Sequence, residues 1–160
     1  MKNLKEKKGF TLIELLAVIV VLAIVMVLAA TTVLPYMTSA RQESFALEAN
    51  AAKDAASNAV SLIMIGELDS SNYTETKDGS GNVTGYCFTI KNLKDAGLFE
   101  KDDDKYTGVV KVSKTSNAYT YLVEMQNDEF FVKQTAAGDV KTENVSARTD
   151  ATNDVTVACS

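Results

Sequence analysis

Hydrophobic and polar positions change their pattern twice along this chain. From Phe10 to Leu34 the sequence is almost wholly apolar; Glu14 is its single charge, and nothing charged follows until Arg41. From Tyr36 the apolar positions narrow to a stripe. Phe45, Ala49, Ala52, Ala56, Ala59 and Ile63 recur three and four apart, which places them on one helical face, while Glu43, Asn50, Asp54, Ser57 and Ser61 fall elsewhere. Gly66 is the expected stop. The two stretches predict one helix from Phe10 to about Ile65, roughly 84 Å long at about 1.5 Å per residue. Pro35, the only proline, predicts a kink within it.

Beyond Gly66 the pattern becomes that of strands and turns. Residues 67–84 are rich in Ser, Thr, Asn, Asp and Gly and read as a surface loop. Tyr86–Ile90 reads as a short strand, followed by a short helix around Asn92–Ala96 that Gly97 stops. Gly108–Ser113, Tyr119–Met125 and Phe130–Thr135 are β-branched or aromatic runs separated by short turns, which implies an antiparallel meander. In the second run Tyr119, Tyr121, Val123 and Met125 share a face, and that face is expected to pack on the alanine stripe. The tail from Ala136 is polar, apart from a short strand expected at Val155–Ala158. The fold class is therefore α+β: a long N-terminal helix against a small antiparallel β-meander.

Length sharpens the reading of the apolar run. Residues 10–34 span roughly 38 Å as a helix, enough to cross a hydrocarbon core of about 30 Å. Lys2, Lys5, Lys7 and Lys8 precede the run against Glu6 alone, and positive flanks stay cytoplasmic, so the C-terminal part is expected to face outward. A cleaved secretory signal would have Ala-x-Ala-like sites around Leu28–Ala30 and Thr38–Ala40, but its apolar core is usually about 7–15 residues. It would also give no reason for Glu14. A carboxylate near a membrane core costs roughly 2.5–3.5 kcal/mol, which marks an intramembrane acid as functional by default. A cut after Gly9 would leave a free amine on Phe10, close to that acid.

Lys7-Lys8-Gly9-Phe10-Thr11-Leu12-Ile13-Glu14-Leu15 resembles the signature of type IV prepilins: a Lys-rich leader, then Gly, Phe, Thr, Leu, a variable apolar residue, Glu and a long hydrophobic helix. The resemblance covers about the first third of the chain. It implies cleavage between Gly9 and Phe10 by a prepilin peptidase, N-methylation of Phe10, and polymerisation into a filament. Pilins often carry a helix proline about one turn earlier than Pro35, so the family's bend is not carried over. With the resemblance, residues 1–9 are a cytoplasmic leader, 10–34 a transmembrane and filament-core helix, 35–66 an amphipathic helix and 67–160 an extracellular β head.

Composition then bounds the function. The chain has 160 residues and a formal net charge of -5; without residues 1–9, 12 basic residues remain against 20 acidic, or -8. Such a surface repels phosphate backbones, so direct nucleic-acid binding is not expected. No histidine is present, and there is no Walker-type glycine loop and no nucleophile elbow, so neither an enzyme nor a cofactor is expected. The two cysteines, Cys87 and Cys159, are too distant for a zinc pattern. They are either free thiols or one bridge, and the outward compartment favours the bridge. Asp78-Gly79-Ser80-Gly81-Asn82 begins like a calcium loop, but Val83 and Thr89 stand where the glycine and the terminal acid belong. Asn72, Asn82 and Asn144 open glycosylation sequons.

The leading expectation is a structural pilus subunit that exchanges lipid for contacts with identical helices, Glu14 meeting the methylated amine of a neighbour's Phe10. Its partners would be identical subunits, the peptidase and a membrane-embedded assembly machinery. It would be membrane-bound before assembly and on the cell surface afterwards. The alternatives are a minor pilin or adhesin, or a pseudopilin of a type II secretion or DNA-uptake system.

Overall fold

A computed structural model describes residues 10–100, 105–149, 155, 158 and 159. The acidic run Asp102–Asp104 and Gly9 lie outside these residues. The first helix, α1, spans Leu12–Ile65 and continues unbroken through Pro35. By its contacts the chain divides into two units that meet between Ser39 and Ala40.

In the first unit no described residue of the helix is buried. Its apolar side chains are exposed throughout, and its most apolar window reaches a mean hydropathy of 3.2 with no residue buried. Among the described residues it is the one helix long and apolar enough to cross a membrane. Its hydroxyls return to their own backbone: Thr31 Oγ1 donates to the Leu28 carbonyl at 3.0 Å, Thr32 Oγ1 to that of Ala29 at 3.1 Å, and Thr38 Oγ1 to that of Leu34 at 3.2 Å. Back-bonded in this way, a hydroxyl can sit in an apolar setting without an unpaired donor.

In the second unit the same helix has a buried face. Phe45, Ala46, Ala49, Ala52, Ala55, Ala56, Ala59 and Val60 are all buried. Small side chains here let a sheet approach closely, and Phe45 supplies bulk at one end, where its ring lies 6.1 Å from that of Phe130. The helix ends on Gly66 at φ 76°, with Glu67 N–H donating to the Leu62 carbonyl (2.9 Å) and Gly66 N–H to that of Ile63 (3.1 Å). This paired closure needs a left-handed residue, which glycine adopts without penalty.

The sheet has six strands in sequence order, each antiparallel to the next: β1 (Thr74–Lys77), β2 (Val83–Thr89), β3 (Thr107–Lys114), β4 (Tyr119–Gln126), β5 (Phe130–Lys133) and β6 (Ser146–Ala147). A short helix, α2 (Ile90–Asp95), follows β2, capped by the Thr89 hydroxyl, which accepts from Asn92 N–H at 3.0 Å. The register aligns Phe88, Val110 and Val123 across three strands, and Met125 with Val132. These residues are buried in one core with the alanine face of α1. Tyr119 and Tyr121 pack against that core on the same face as Val123 and Met125, as the alternation predicts. Gly108, at φ 143°, is pressed so close to the Glu124 carbonyl that a Cβ would collide with it.

Two expectations are corrected. Residues 67–84 are not one loop: a 3-10 turn at Ser70–Asn72 leads into β1, and the hairpin to β2 turns at Asp78–Asn82. Every side chain of β1 is exposed, so no apolar alternation betrays it; main-chain pairing with β2 forms it. The middle of the strand expected at Val155–Ala158 lies outside the described residues; a late strand the reading did not expect is β6. The polar tail also contributes Val140 and Val145 to the core.

That tail is held at several points. Asn50 on α1 bonds both main-chain groups of Val140, and Lys53 donates to the Gly138 carbonyl at 3.3 Å and pairs with Asp139. On the sheet face opposite α1, buried Gln126 accepts from Val155 N–H at 2.8 Å, and Cys159 is disulfide-bonded to Cys87. The tail therefore recrosses the outer side of the sheet from β4 to β2. On that side Lys111 Nζ lies 2.7 Å from the nearly buried Glu124 carboxylate, which is thereby paired.

Candidate functional site

The chemistry singled out in the sequence gathers where α1 begins. Phe10 precedes the helix and is 87% exposed. Thr11 is the capping position, and Glu14 lies in the first helical turn. Thr11 N–H donates to Glu14 Oε2 at 2.9 Å, and Thr11 Oγ1 donates to the same oxygen at 2.8 Å. In return Glu14 N–H reaches Thr11 Oγ1 at 3.4 Å. This is a capping box, in which residues three apart satisfy each other's orphan main-chain donors. The carboxylate also sits where the helix dipole favours negative charge.

The sequence reading passed over this pairing, although Thr11-Leu12-Ile13-Glu14 carries the Thr-x-x-Glu signal in full. In the structure the acid is already bonded within its own subunit, which lowers the cost of holding it in an apolar layer. Around it Leu12, Ile13, Leu15 and Leu16 are all exposed. The arrangement is an apolar rod whose one charge is fixed at its tip.

Elsewhere the described residues offer little chemistry. They contain no group of three or more His, Cys, Asp or Glu side chains able to hold a metal ion. The Asp78 carboxylate is consumed by its own turn: it accepts from Ser80 N–H and Asn82 N–H, each at 2.9 Å, and from Asn82 Nδ2 at 3.1 Å. These bonds, those of Asn82 foremost, hold its carboxyl below the usual carboxylate range. A hollow of about 520 Å³ on the outer side of the sheet is lined by Thr76, Thr84, Gly85, Lys111, Ser113 and Lys114. A second, of about 330 Å³, lies between Arg41, Phe45 and Glu129.

A long N-terminal helix with one capped acid in its first turn, and a six-stranded antiparallel sheet packed on its second half, make an α+β, pilin-like arrangement. Residues 4–30 match the family model of the prokaryotic N-terminal methylation motif, the type IV prepilin-like signature. That motif is a structural one, of type IV pilin-like and pseudopilin proteins, rather than the mark of an enzyme family. No curated protein and no solved structure matches the chain.

Proposed function

We propose that this chain is a structural subunit of a type IV pilus, cleaved between Gly9 and Phe10, N-methylated on Phe10 and polymerised through its N-terminal helix. The observation that carries the reading is the methylation motif at residues 4–30, which from Leu12 onward lies on a helix whose apolar surface is unburied in the single subunit. Residues 10–34 would be anchored in the membrane first and in the filament core later, with 35–66 joining them to a head formed by 67–160. Glu14 would meet the methylated amine of a neighbour's Phe10. Pairing two charges in a low-dielectric core relieves a penalty that either would bear alone. The partners are identical subunits, the prepilin peptidase and the assembly machinery in the membrane.

Mass spectrometry of filaments sheared from the cell surface tests this. The expected result is an abundant chain beginning at N-methyl-Phe10. An intact Met1 terminus, or cleavage near Ala30 or Ala40, would overturn the reading. A correctly processed but scarce chain would move it to a minor pilin or to a pseudopilin of a secretion or DNA-uptake system.

A further inference from the structure

On the pilus reading, Glu14 must offer an acceptor to a neighbour's amine, and the capping box decides which one. Both donors of Thr11 fall on Oε2. Glu14 Oε1 has no partner among the described residues. A carboxylate has about two acceptor sites on each oxygen, so the pair from Thr11 fills Oε2 and leaves Oε1 vacant. An amine that has gained one methyl group keeps two N–H donors in its charged form. Donors and acceptors then match, two on each side, with none left unpaired in an apolar layer.

We propose that Thr11 is a positioning residue for assembly. It clamps Oε2, fixes the plane of the carboxylate and reserves Oε1 for the methylated amine of the neighbouring Phe10. The capping box is kept when subunits join, rather than opened. Satisfying every donor and acceptor matters most where water is absent, because an unpaired polar group there bears its full desolvation cost.

The test uses strains in which the altered chain is the sole copy, and measures filament subunits per cleaved, membrane-held subunit. Thr11→Ser keeps the hydroxyl and should assemble like the unaltered chain. Thr11→Val keeps shape and charge but lacks the hydroxyl, and should yield roughly tenfold fewer filaments, the scale of one hydrogen bond to a charged group. Glu14→Gln keeps an oxygen for Thr11 but has no charge for the amine, and should lose filaments while the helix start remains capped. If Thr11 served only the helix end, Thr11→Val would assemble like the unaltered chain; normal assembly by Glu14→Gln would show that the amine needs no charged acceptor at Glu14, and either result would overturn the proposal. Thr11→Val filaments above the unaltered yield would also overturn it, the higher yield meaning that the cap competes with the amine. Should Thr11→Val escape cleavage, Thr11→Ala carries the same comparison. No filaments from the unaltered chain would instead defeat the pilus reading itself.

Discussion

The side-chain amide of Asn50 stands in for a strand partner of Val140. Its Nδ2 donates to the Val140 carbonyl at 2.9 Å, and its Oδ1 accepts from the Val140 N–H at 2.8 Å, across a separation of 90 residues. The 134–145 connection thus gains from the helix the pairing it lacks from the sheet. Asn50→Ala should leave two partly buried main-chain groups unpaired, at a cost of about 1–3 kcal/mol. Urea unfolding of the detergent-solubilised chain measures it, and an unchanged midpoint would mean the clamp adds nothing.

Ala52 is fully buried where α1 meets the sheet. A larger side chain there must push the two layers apart. Ala52→Leu should destabilise the chain by about 1–3 kcal/mol despite greater apolarity. Ala51 is exposed on the next position round, so Ala51→Leu is the control and should stay within about 0.5 kcal/mol.

Reducing the Cys87–Cys159 bond, which closes a separation of 72 residues, should cost on the order of 4 kcal/mol in the chain-entropy model. Limited proteolysis should then trim the chain after Arg148, whose N–H still holds the Glu129 carbonyl at 2.8 Å. Equal protease resistance with and without reductant would show that the crosslink does not secure the tail.

Acid and base should each destabilise the head, in separate windows. Asp69 and Asp139 are held below their ordinary value of 3.8, the first by hydrogen bonds from Ser71 and the second by the Lys53 ammonium, and Asp78 is lowered by its turn. A depressed carboxyl contributes stability above its unfolded pKa and loses it as pH falls through the folded one. The loss should therefore fall below pH 3.8. Burial, then Tyr119, Glu75 and Tyr73, raises the Tyr86 phenol above 10.0, so its contribution holds at lower pH and disappears as pH rises past that value. With no histidine, a unfolding-midpoint series between about pH 5 and 9 should be nearly flat.

What the sequence disclosed follows from which elements bury side chains. The alanine stripe, the stop at Gly66 and the runs that form β3, β4 and β5 were legible because burial imposes a period on them. β1 and β6 are exposed edge strands joined to the sheet by main-chain pairing, so Thr74–Lys77 and Ser146–Ala147 give no period to read. Val140 and Val145 reach the core from a polar stretch through Asn50 and a short turn, a long-range contact with no local signature. At the site Phe10 and Glu14 stood out by motif and by charge. The Thr11 bonds were encoded as plainly, but a threonine entering an apolar run reads as filler until its partner three residues on is considered.

The tail's return to β2 has a mechanical consequence. The bond from Cys87 to Cys159 encloses β3, β4, β5 and β6 within one covalent loop. A load entering through α1 can peel away only what lies outside it: the 3-10 turn, β1 and the first residues of β2. At about 3.4 Å per extended residue, roughly 250 Å of chain is withheld from extension. Under tension the head can loosen at one edge, while the bulk of its sheet cannot be drawn out into thread.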